Sequence, residues 1–251
     1  MRLCEQDIRL LKYLHAVKVA TYRQIHRDIY PDLKLKTVYN RVAKITKLKL
    51  ISSSYDRLGL PVEKVMSVSK QGFNKFVADG KENRIELKSD AIIHDIGLVD
   101  IRHVMTTRKK VLSYHTENQI QTWWKGSHIH DQSLIANFNS DAIALISLSD
   151  SKIWASIEYE ASKKAEERYE AIVKKYYQSS EIPLVLYICE DEGIMNQIKN
   201  VEKKYYDGQY PKLFYQLKQN IIKNDEVLLM NRDQKILEFE TKDFRESFGN
   251  C

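Results

Sequence analysis

The sequence lacks the features that mark membrane, secreted and zinc-binding proteins. Its longest apolar runs, such as 182–189, fall far short of the twenty or so residues that span a bilayer. The N-terminus is charged and has no apolar core of the kind that directs secretion. Its three cysteines, Cys4, Cys189 and Cys251, are odd in number and lack metal-ligand spacing, which excludes a disulfide framework or a zinc site. We therefore expect a cytoplasmic protein with no membrane partner.

Glycine is also scarce, and its scarcity excludes several enzyme classes. The eight glycines are scattered and form no phosphate-binding loop of the kinase, P-loop or dinucleotide type. The sequence also has no Gly-x-Ser-x-Gly nucleophile elbow. These absences lead us to expect no organic cofactor.

Charge, in contrast, is abundant and unevenly distributed. Residues 1–90 carry 19 Lys and Arg against 10 Asp and Glu, whereas residues 91–251 carry 21 against 24. The net charge of +6 therefore comes from the N-terminal third. Such asymmetry suggests that one part of the chain meets a polyanion, although basic surfaces also serve solubility.

The N-terminal third has the pattern of three short helices followed by a β-hairpin. Apolar residues recur at helical spacing in 5–17, 21–30 and 35–48, and Thr21 with Gln24 forms a capping box before the second helix. Strand patterns follow at 50–55 and 62–68, and Ser69 precedes a further helix. This order predicts a winged helix-turn-helix domain over residues 1–80.

The third helix is the candidate DNA-reading element. Residues 34–49 hold six basic side chains and no acidic one. Arg and Asn can bond base edges, and Lys and Tyr reach phosphate oxygens. The candidate DNA contacts are Lys36, Tyr39, Asn40, Arg41, Lys44 and Lys47, with Arg57 at the tip of the wing. A solvated basic face and a winged helix that contacts only proteins remain alternatives.

The rest of the chain reads as an α/β domain. Residues 81–90 are polar and predict a linker, and residues 91–251 alternate helical patterns with apolar strands. The continuous apolar run at 182–189 is typical of a buried central strand. We therefore predict a mixed sheet covered on both faces by helices, and a whole chain of α+β or α/β class.

Three carboxylates in this second domain are candidate metal ligands. Glu158 and Glu160 lie two residues apart on a predicted strand and so share one face, and Asp141 begins the preceding strand. Their oxygens are the ligands that Mg²⁺ and Mn²⁺ prefer, and such a metal could activate water to attack a phosphodiester. Alternatively, Glu158 and Glu160 are surface or helix-pairing carboxylates on an edge strand.

These motifs together resemble a known family. A winged helix is followed by a helix with His94-Asp95, a strand with Ser140-Asp141-Ala142, a strand reading 157–162 (IEYEAS), and a basic helix with Lys174-Lys175-Tyr176. In residues 5–190 the chain resembles the plasmid replication-relaxation proteins. The resemblance implies a restriction-endonuclease-like second domain and a role on a plasmid, phage or other mobile element.

The sequence departs from the nuclease pattern at one position. The active pattern that the resemblance implies is an Asp followed by Glu-x-Lys, and here Asp141 and Glu158 match but Glu160 replaces the lysine. Lys163 or Lys164 could reach back from the next helix. The candidate catalytic set of a nuclease is therefore Asp141, Glu158, Glu160 and Lys163, with Mg²⁺ or Mn²⁺ on the three carboxylates.

The missing lysine favours binding over cleavage. We expect a sequence-specific double-stranded DNA-binding protein that acts in replication, mobilisation or transcriptional control. Its second domain would be a degenerate nuclease fold that supports homodimerisation or recruits a replication, mobilisation or transposition partner. Such a protein would associate with the nucleoid or a plasmid of a prokaryotic cell. The alternative is a metal-dependent DNA endonuclease that the winged helix targets.

Overall fold

A computed structural model describes residues 3–55, 63–78, 89–123, 138–148, 151–223 and 227–240. The chain forms two compact units. The first comprises Met1–Asp100 and Thr116–Gln132, and the second comprises Ile101–His115 and Ser133–Cys251. Helices and strands are mixed in the chain, which confirms the α+β class. Within the described ranges, no helix is both long enough and apolar enough to cross a bilayer.

The first unit contains the three predicted helices and the two predicted hairpin strands in the predicted order, with a short additional strand, β1, before the second helix. Its elements are α1 (Glu5–Val17), β1 (Ala20–Thr21), α2 (Tyr22–Ile29), α3 (Leu35–Lys47), β2 (Ile51–Tyr55), β3 (Lys64–Val68), α4 (Lys70–Phe76), the start of α5 (Ile92–Thr106), and α6 (Glu117–Trp123). Strands β1, β3 and β2 form an antiparallel sheet in that order, with Thr21 opposite Val65 and Ser54 opposite Val65. The helices and hairpin strands therefore occur where the sequence predicts them.

Local signals in the sequence account for these helix starts. Thr21 accepts a hydrogen bond from the Gln24 amide at 3.2 Å, and the Gln24 side chain accepts one from the Thr21 amide at 3.0 Å. This is the predicted capping box of α2. Ser69 caps α4 in the same way, through its hydroxyl and the Gly72 amide at 3.0 Å.

The core of the first unit is built by the predicted apolar faces. Val38, Val42 and Ile45 of α3 are fully buried, together with Leu10 and Leu14 of α1. Burying a side chain of this size contributes about 1.5–3 kcal/mol. Because one face of α3 is committed to this core, its opposite face is left toward solvent.

The boundary of the first unit differs from the predicted division into 1–80, 81–90 and 91–251. The beginning of α5 belongs to this unit because the side-chain amide of Gln24 (Nε2) donates to the Ile96 carbonyl at 3.0 Å. Helix α6 belongs to it as well, since the side-chain amide of Asn118 (Nδ2) donates to the His15 carbonyl at 2.8 Å. Both contacts join residues more than seventy positions apart, which sequence pattern does not reveal. Residues 81–88 of the predicted linker lie outside the described ranges.

The second unit is organised around a seven-stranded mixed sheet. Its elements are β4 (Val111–Thr116), β5 (Ala142–Leu148), β6 (Ser151–Glu160), α7 (Glu166–Gln178), β7 (Leu184–Cys189), α8 (Glu192–Tyr206), β8 (Leu213–Leu217), α9 (Lys218–Lys223), β9 (Val227–Asn231) and β10 (Ile236–Phe239). The strand order is β10-β9-β8-β7-β6-β5-β4. Strand β7 is parallel to both β6 and β8, whereas β5 is antiparallel to β6. The mixed sheet is therefore confirmed, and β8 is a strand that the sequence pattern missed.

The apolar strand β7 lies in the middle of this sheet, as predicted. All six of its residues are buried. Helices α7 and α8 cover it with buried side chains that include Tyr169, Val173, Ile194 and Ile198. Continuous apolar sequence in a strand reflects burial of both its faces.

The sheet curls until its two ends meet. The Lys109 amide, just before β4, donates to the Glu240 carbonyl just after β10 at 2.9 Å. The Lys110 ammonium donates to the Glu238 carbonyl within β10 at 2.9 Å. Two backbone acceptors at this margin, the Glu238 and Glu240 carbonyls, are therefore already used within the chain.

Candidate nucleic-acid interface and carboxylate site

The solvent face of α3 is polar and basic. Its candidate DNA-contacting side chains are all exposed except that of Arg41, which is partly buried. The helix has no acidic residue in its first turn, and Lys44 and Lys47 lie in its last turn. The exposed set is Lys36, Tyr39, Asn40, Lys44 and Lys47. The structure therefore leaves five of the six predicted α3 contacts accessible to a ligand.

Arg41 is engaged in an ion pair with α1. Its Nε and Nη2 atoms lie 2.6 and 3.0 Å from the two carboxylate oxygens of Asp7. Asp7 is fully buried and also accepts hydrogen bonds from the Cys4 amide at 2.9 Å and the Tyr30 hydroxyl at 3.0 Å. Burial raises the pKa of Asp7, but the hydrogen bonds from Arg41, Cys4 and Tyr30 outweigh burial and leave this pKa below its usual value. Arg41 thus holds α3 against α1.

Tyrosines around α3 form a cluster that the sequence did not predict. The Tyr22 ring, at the start of α2, lies 4.0 Å from the Tyr39 ring, measured between centroids. Tyr55, at the end of β2, is exposed, and the Lys64 ammonium lies 5.8 Å above its ring. Helix spacing predicts Tyr39 as a candidate contact, but it does not show that Tyr22 packs on Tyr39 or that Tyr55 lies close enough to Tyr22 to raise its pKa. Arg57, the predicted wing contact, lies outside the described residues.

In the second unit, the candidate carboxylates gather at one end of the sheet. Ala142 pairs with Ile157, so Asp141 stands beside Glu158 across the β5–β6 ladder. The Asp141 carboxylate accepts a hydrogen bond from the Tyr159 amide at 2.8 Å. The predicted proximity of Asp141 to the Glu158 strand is therefore seen in the structure.

Glu158 bonds a tyrosine whose hydroxyl also contacts two serines. The Tyr176 hydroxyl donates a short hydrogen bond to the Glu158 carboxyl, and the Ser140 and Ser156 hydroxyls lie 2.9 and 2.7 Å from the same phenolic oxygen. Burial raises the pKa of Glu158 well above its usual value, and the negative charge of Asp141 raises it further. The hydrogen bond from Tyr176 opposes this shift. Burial and the charge of Asp141 thus shift the equilibrium of Glu158 toward its protonated form.

Glu160 is buried and paired with a lysine. The Lys164 ammonium lies 2.6 Å from the Glu160 carboxylate, and the Tyr187 hydroxyl lies 3.4 Å from the same oxygen. The contact that the sequence left open between Lys163 and Lys164 thus falls to Lys164. Strand β6 lies between β5 and β7, so these carboxylates are not surface groups on an edge strand, but the pairing of Glu158 with a helix is seen, through Tyr176 of α7. The sequence does not reveal the central position of β6 because its second pairing partner, β7, follows a whole helix later in the chain.

The three carboxylates have different partners in this arrangement. Asp141 bonds a backbone amide, Glu158 bonds Tyr176, and Glu160 bonds Lys164. Carboxylate oxygens suit Mg²⁺ and Mn²⁺. However, no three His, Cys, Asp or Glu side chains among the described residues are grouped so as to hold a metal ion. The metal site therefore stays a prediction.

A second ion pair lies at the same end of the parallel strands. The Lys218 ammonium lies 2.5 Å from the Glu190 carboxylate and 2.9 Å from the Tyr159 hydroxyl. Burial raises the pKa of Glu190, but the hydrogen bonds from Lys218 and Tyr159 outweigh burial and lower it. Glu190 and Lys218 follow β7 and β8 directly, and the carboxyl ends of parallel strands meet at one edge. The sequence pattern gave no sign of this pair because β8 was missed.

Comparisons of the chain with protein-family models, with curated proteins and with solved structures find no match. The resemblance to the replication-relaxation proteins therefore rests on the sequence motifs alone.

Proposed function

We propose that the protein binds double-stranded DNA through the solvent face of α3. The observation that carries this proposal is the exposed set on that helix, three lysines with a tyrosine and an asparagine and no acidic side chain in residues 34–49. Lysine and tyrosine reach phosphate oxygens, and asparagine can form two hydrogen bonds with adenine in the major groove. The fold proposed for this unit is a winged helix, with α3 as its recognition helix.

The roles of the α3 side chains are revised by the ion pair of Arg41. Asn40 takes over as the proposed base-reading residue because it is exposed, whereas Arg41 is bonded to Asp7. Lys44 and Lys47, in the last turn of the helix, would bind phosphates. Arg41 would act indirectly, by fixing the angle of α3 against α1.

The test is equilibrium binding of the full chain to a duplex at several salt concentrations. The affinity falls as the salt concentration rises, and each lost phosphate contact makes the slope of log K against log salt less negative by about 0.9. We expect Lys44→Ala to reduce the magnitude of the slope by about 0.9, the value of one phosphate contact. Lys75→Ala, on the exposed part of α4, should leave the slope unchanged. An interaction that is insensitive to salt, or no binding at all, would favour the protein-contact alternative.

The biological setting extends this proposal. The protein would be a sequence-specific regulator of a plasmid, phage or other mobile element, acting in replication, mobilisation or transcriptional control. It would act as a homodimer, since two half-sites raise both affinity and specificity over one helix. Sedimentation of the protein with DNA tests the dimer, and a monomer both alone and on DNA would contradict it.

A metal-dependent DNA endonuclease is the second candidate function, and the Lys164–Glu160 contact favours it. The ammonium group lies 2.6 Å from a carboxylate at the position where the nuclease pattern has its lysine. If Asp141, Glu158 and Glu160 were to bind Mg²⁺ or Mn²⁺, the metal would lower the pKa of a bound water. Lys164 would then stand where negative charge develops.

Supercoiled plasmid distinguishes the two functions. A nuclease nicks it in the presence of Mn²⁺, and Asp141→Ala, Glu158→Ala and Lys164→Ala each abolish nicking, whereas Lys163→Ala retains it. The Lys163 variant is the matched control because it removes the neighbouring lysine. Absence of nicking with either metal, together with retained DNA binding, would leave the binding function alone.

A further inference from the structure

We propose that the tyrosines beside α3 form a stacking platform for an unpaired DNA base next to the bound duplex. The platform consists of Tyr22, Tyr39 and Tyr55 with Lys64. This inference rests on the proposed DNA binding and deepens it, because it names the substrate class as a duplex with a single-stranded segment.

The platform follows from the register of the three-stranded sheet. Thr21, Val65 and Ser54 form one row across β1, β3 and β2. The next register pair is Tyr55 and Lys64, and Tyr22, the first residue of α2, directly follows Thr21 beside that pair. Tyr39 of α3 extends this row, since its ring centroid lies 4.0 Å from that of Tyr22. Four side chains from four elements thus line one margin of the unit.

The exposed parts of this row are aromatic and cationic. Tyr55 is 62% exposed and Tyr39 is 40% exposed, whereas Tyr22 is buried beneath them. The phenol groups of Tyr39 and Tyr55 both raise the pKa of Tyr22, after the effect of burial, which agrees with a shared cluster. Lys64 lies 5.8 Å from the centroid of the Tyr55 ring. Large aromatic rings that are this exposed contribute little to folding.

An unpaired base suits this surface better than a paired one. Bases within a duplex already stack on each other, and their faces are closed to a protein side chain. An unpaired base offers its face to an aromatic ring, and a neighbouring cation holds its phosphate. The platform adjoins the basic face of α3, with Tyr39 common to both. Duplex bound by α3 would therefore place a strand end or an opened segment near Tyr55.

The test compares two ligands of the full chain, a blunt duplex and the same duplex with a single-stranded tail. Stacking of a base on an aromatic side chain contributes about 1–3 kcal/mol, which is roughly a 5- to 150-fold change in Kd. We expect wild type to bind the tailed duplex at least fivefold more tightly than the blunt one. Tyr55→Ala and Tyr39→Ala should lose this preference, and Tyr55→Phe should retain it because the ring is kept.

Tyr210 supplies the matched control. It is 72% exposed and has the Lys235 ammonium 5.1 Å from its ring centroid, but it belongs to the second unit. Tyr210→Ala should therefore keep the preference for the tail. A 2-aminopurine at the first unpaired position should be quenched by wild type and by Tyr55→Phe, and not by Tyr55→Ala.

Three results would overturn the platform. The first is equal affinity of wild type for the blunt and the tailed duplex. The second is an equal loss of affinity for both ligands in Tyr55→Ala. The third is a loss of affinity in Tyr55→Phe as large as that in Tyr55→Ala. The second and third results would make Tyr55 a phosphate contact through its hydroxyl. Failure of the proposed function looks different, since wild type would then bind neither ligand.

Discussion

Replacing Arg41 with methionine should destabilise the first unit more than replacing its partner Asp7 with asparagine. Arg41→Met leaves the Asp7 carboxylate fully buried with two neutral donors, the Cys4 amide and the Tyr30 hydroxyl. Removing one partner of a buried ion pair costs about 3–5 kcal/mol. Protonating Asp7 at pH 7 would itself cost about 4 kcal/mol, so it limits the loss only at the upper end of this range. In Asp7→Asn, the Arg41 side chain, 30% exposed, can turn to water, and the loss should be about 1–2 kcal/mol.

The pH dependence gives the same pair a second signature. The pKa of Asp7 is lower in the folded protein than in the unfolded chain, so its stabilising effect is present at pH 7. That effect is lost as the pH falls from about 4 through the folded-state pKa. Without Arg41 the pKa of Asp7 rises, and this acid-induced loss of stability should shrink.

Urea unfolding followed by circular dichroism at pH 7 and at acid pH measures both effects. Lys44→Met, an exposed lysine replaced on the same helix, is the control and should change the free energy of unfolding by less than about 0.5 kcal/mol. A loss of stability in Arg41→Met no larger than in this control, together with a relaxed DNA sequence preference, would refute the structural role of Arg41. Arg41 would then read bases, as the sequence alone suggested.

Three further predictions concern other parts of the chain. Gly72→Ala would place a methyl group 2.2 Å from the Leu50 carbonyl oxygen, so urea unfolding should show a loss of about 1–3 kcal/mol; an unchanged midpoint would contradict this close approach. Because the pKa of Glu158 is raised in the folded protein, stability is lost as the pH rises above about 4. Glu158→Gln keeps a neutral side chain and should therefore raise the urea midpoint at pH 8 but not at pH 4. Equal midpoints of variant and wild type at pH 8 would argue against a raised pKa of Glu158. Burial raises the pKa of Cys189 to about 12, so brief alkylation of the native protein with peptide mapping should label exposed Cys4 and spare Cys189; labelling of both would count against the buried thiol.

The sequence predicts well those features that depend on neighbouring residues. Helical spacing places Val38, Val42 and Ile45 in the core, and the Thr21–Gln24 capping box marks the start of α2. The alternation in 151–160 likewise gives one face of β6 to Glu158 and Glu160. Each of these signals lies within one turn or one strand.

Features that depend on distant pairing are the ones that the sequence does not reveal. Arg41 and Asp7 are 34 positions apart, and no local pattern distinguishes an arginine that pairs from one that reads DNA. Tyr22 follows β1 and Tyr55 ends β2, and the two come to one end of the small sheet because both strands pair with β3. Strand β8 was missed because five alternating residues are a weak signal until β7 supplies a parallel partner. The carboxylate site was found as a set of residues with Lys164 among its candidate partners, but the bonds from Tyr176 and Tyr187 were not foreseen.

The closure between the two ends of the curled sheet bears on how the protein avoids self-association. A free strand edge offers unpaired carbonyls and amides to another chain, and proteins protect such edges to prevent aggregation. Here the carbonyls of Glu238 and Glu240 are already bonded to Lys110 and Lys109. A second copy that approached β10 would have to displace these bonds before it could extend the sheet. A dimer of this protein would therefore form more readily through side-chain surfaces than through strand addition at β10.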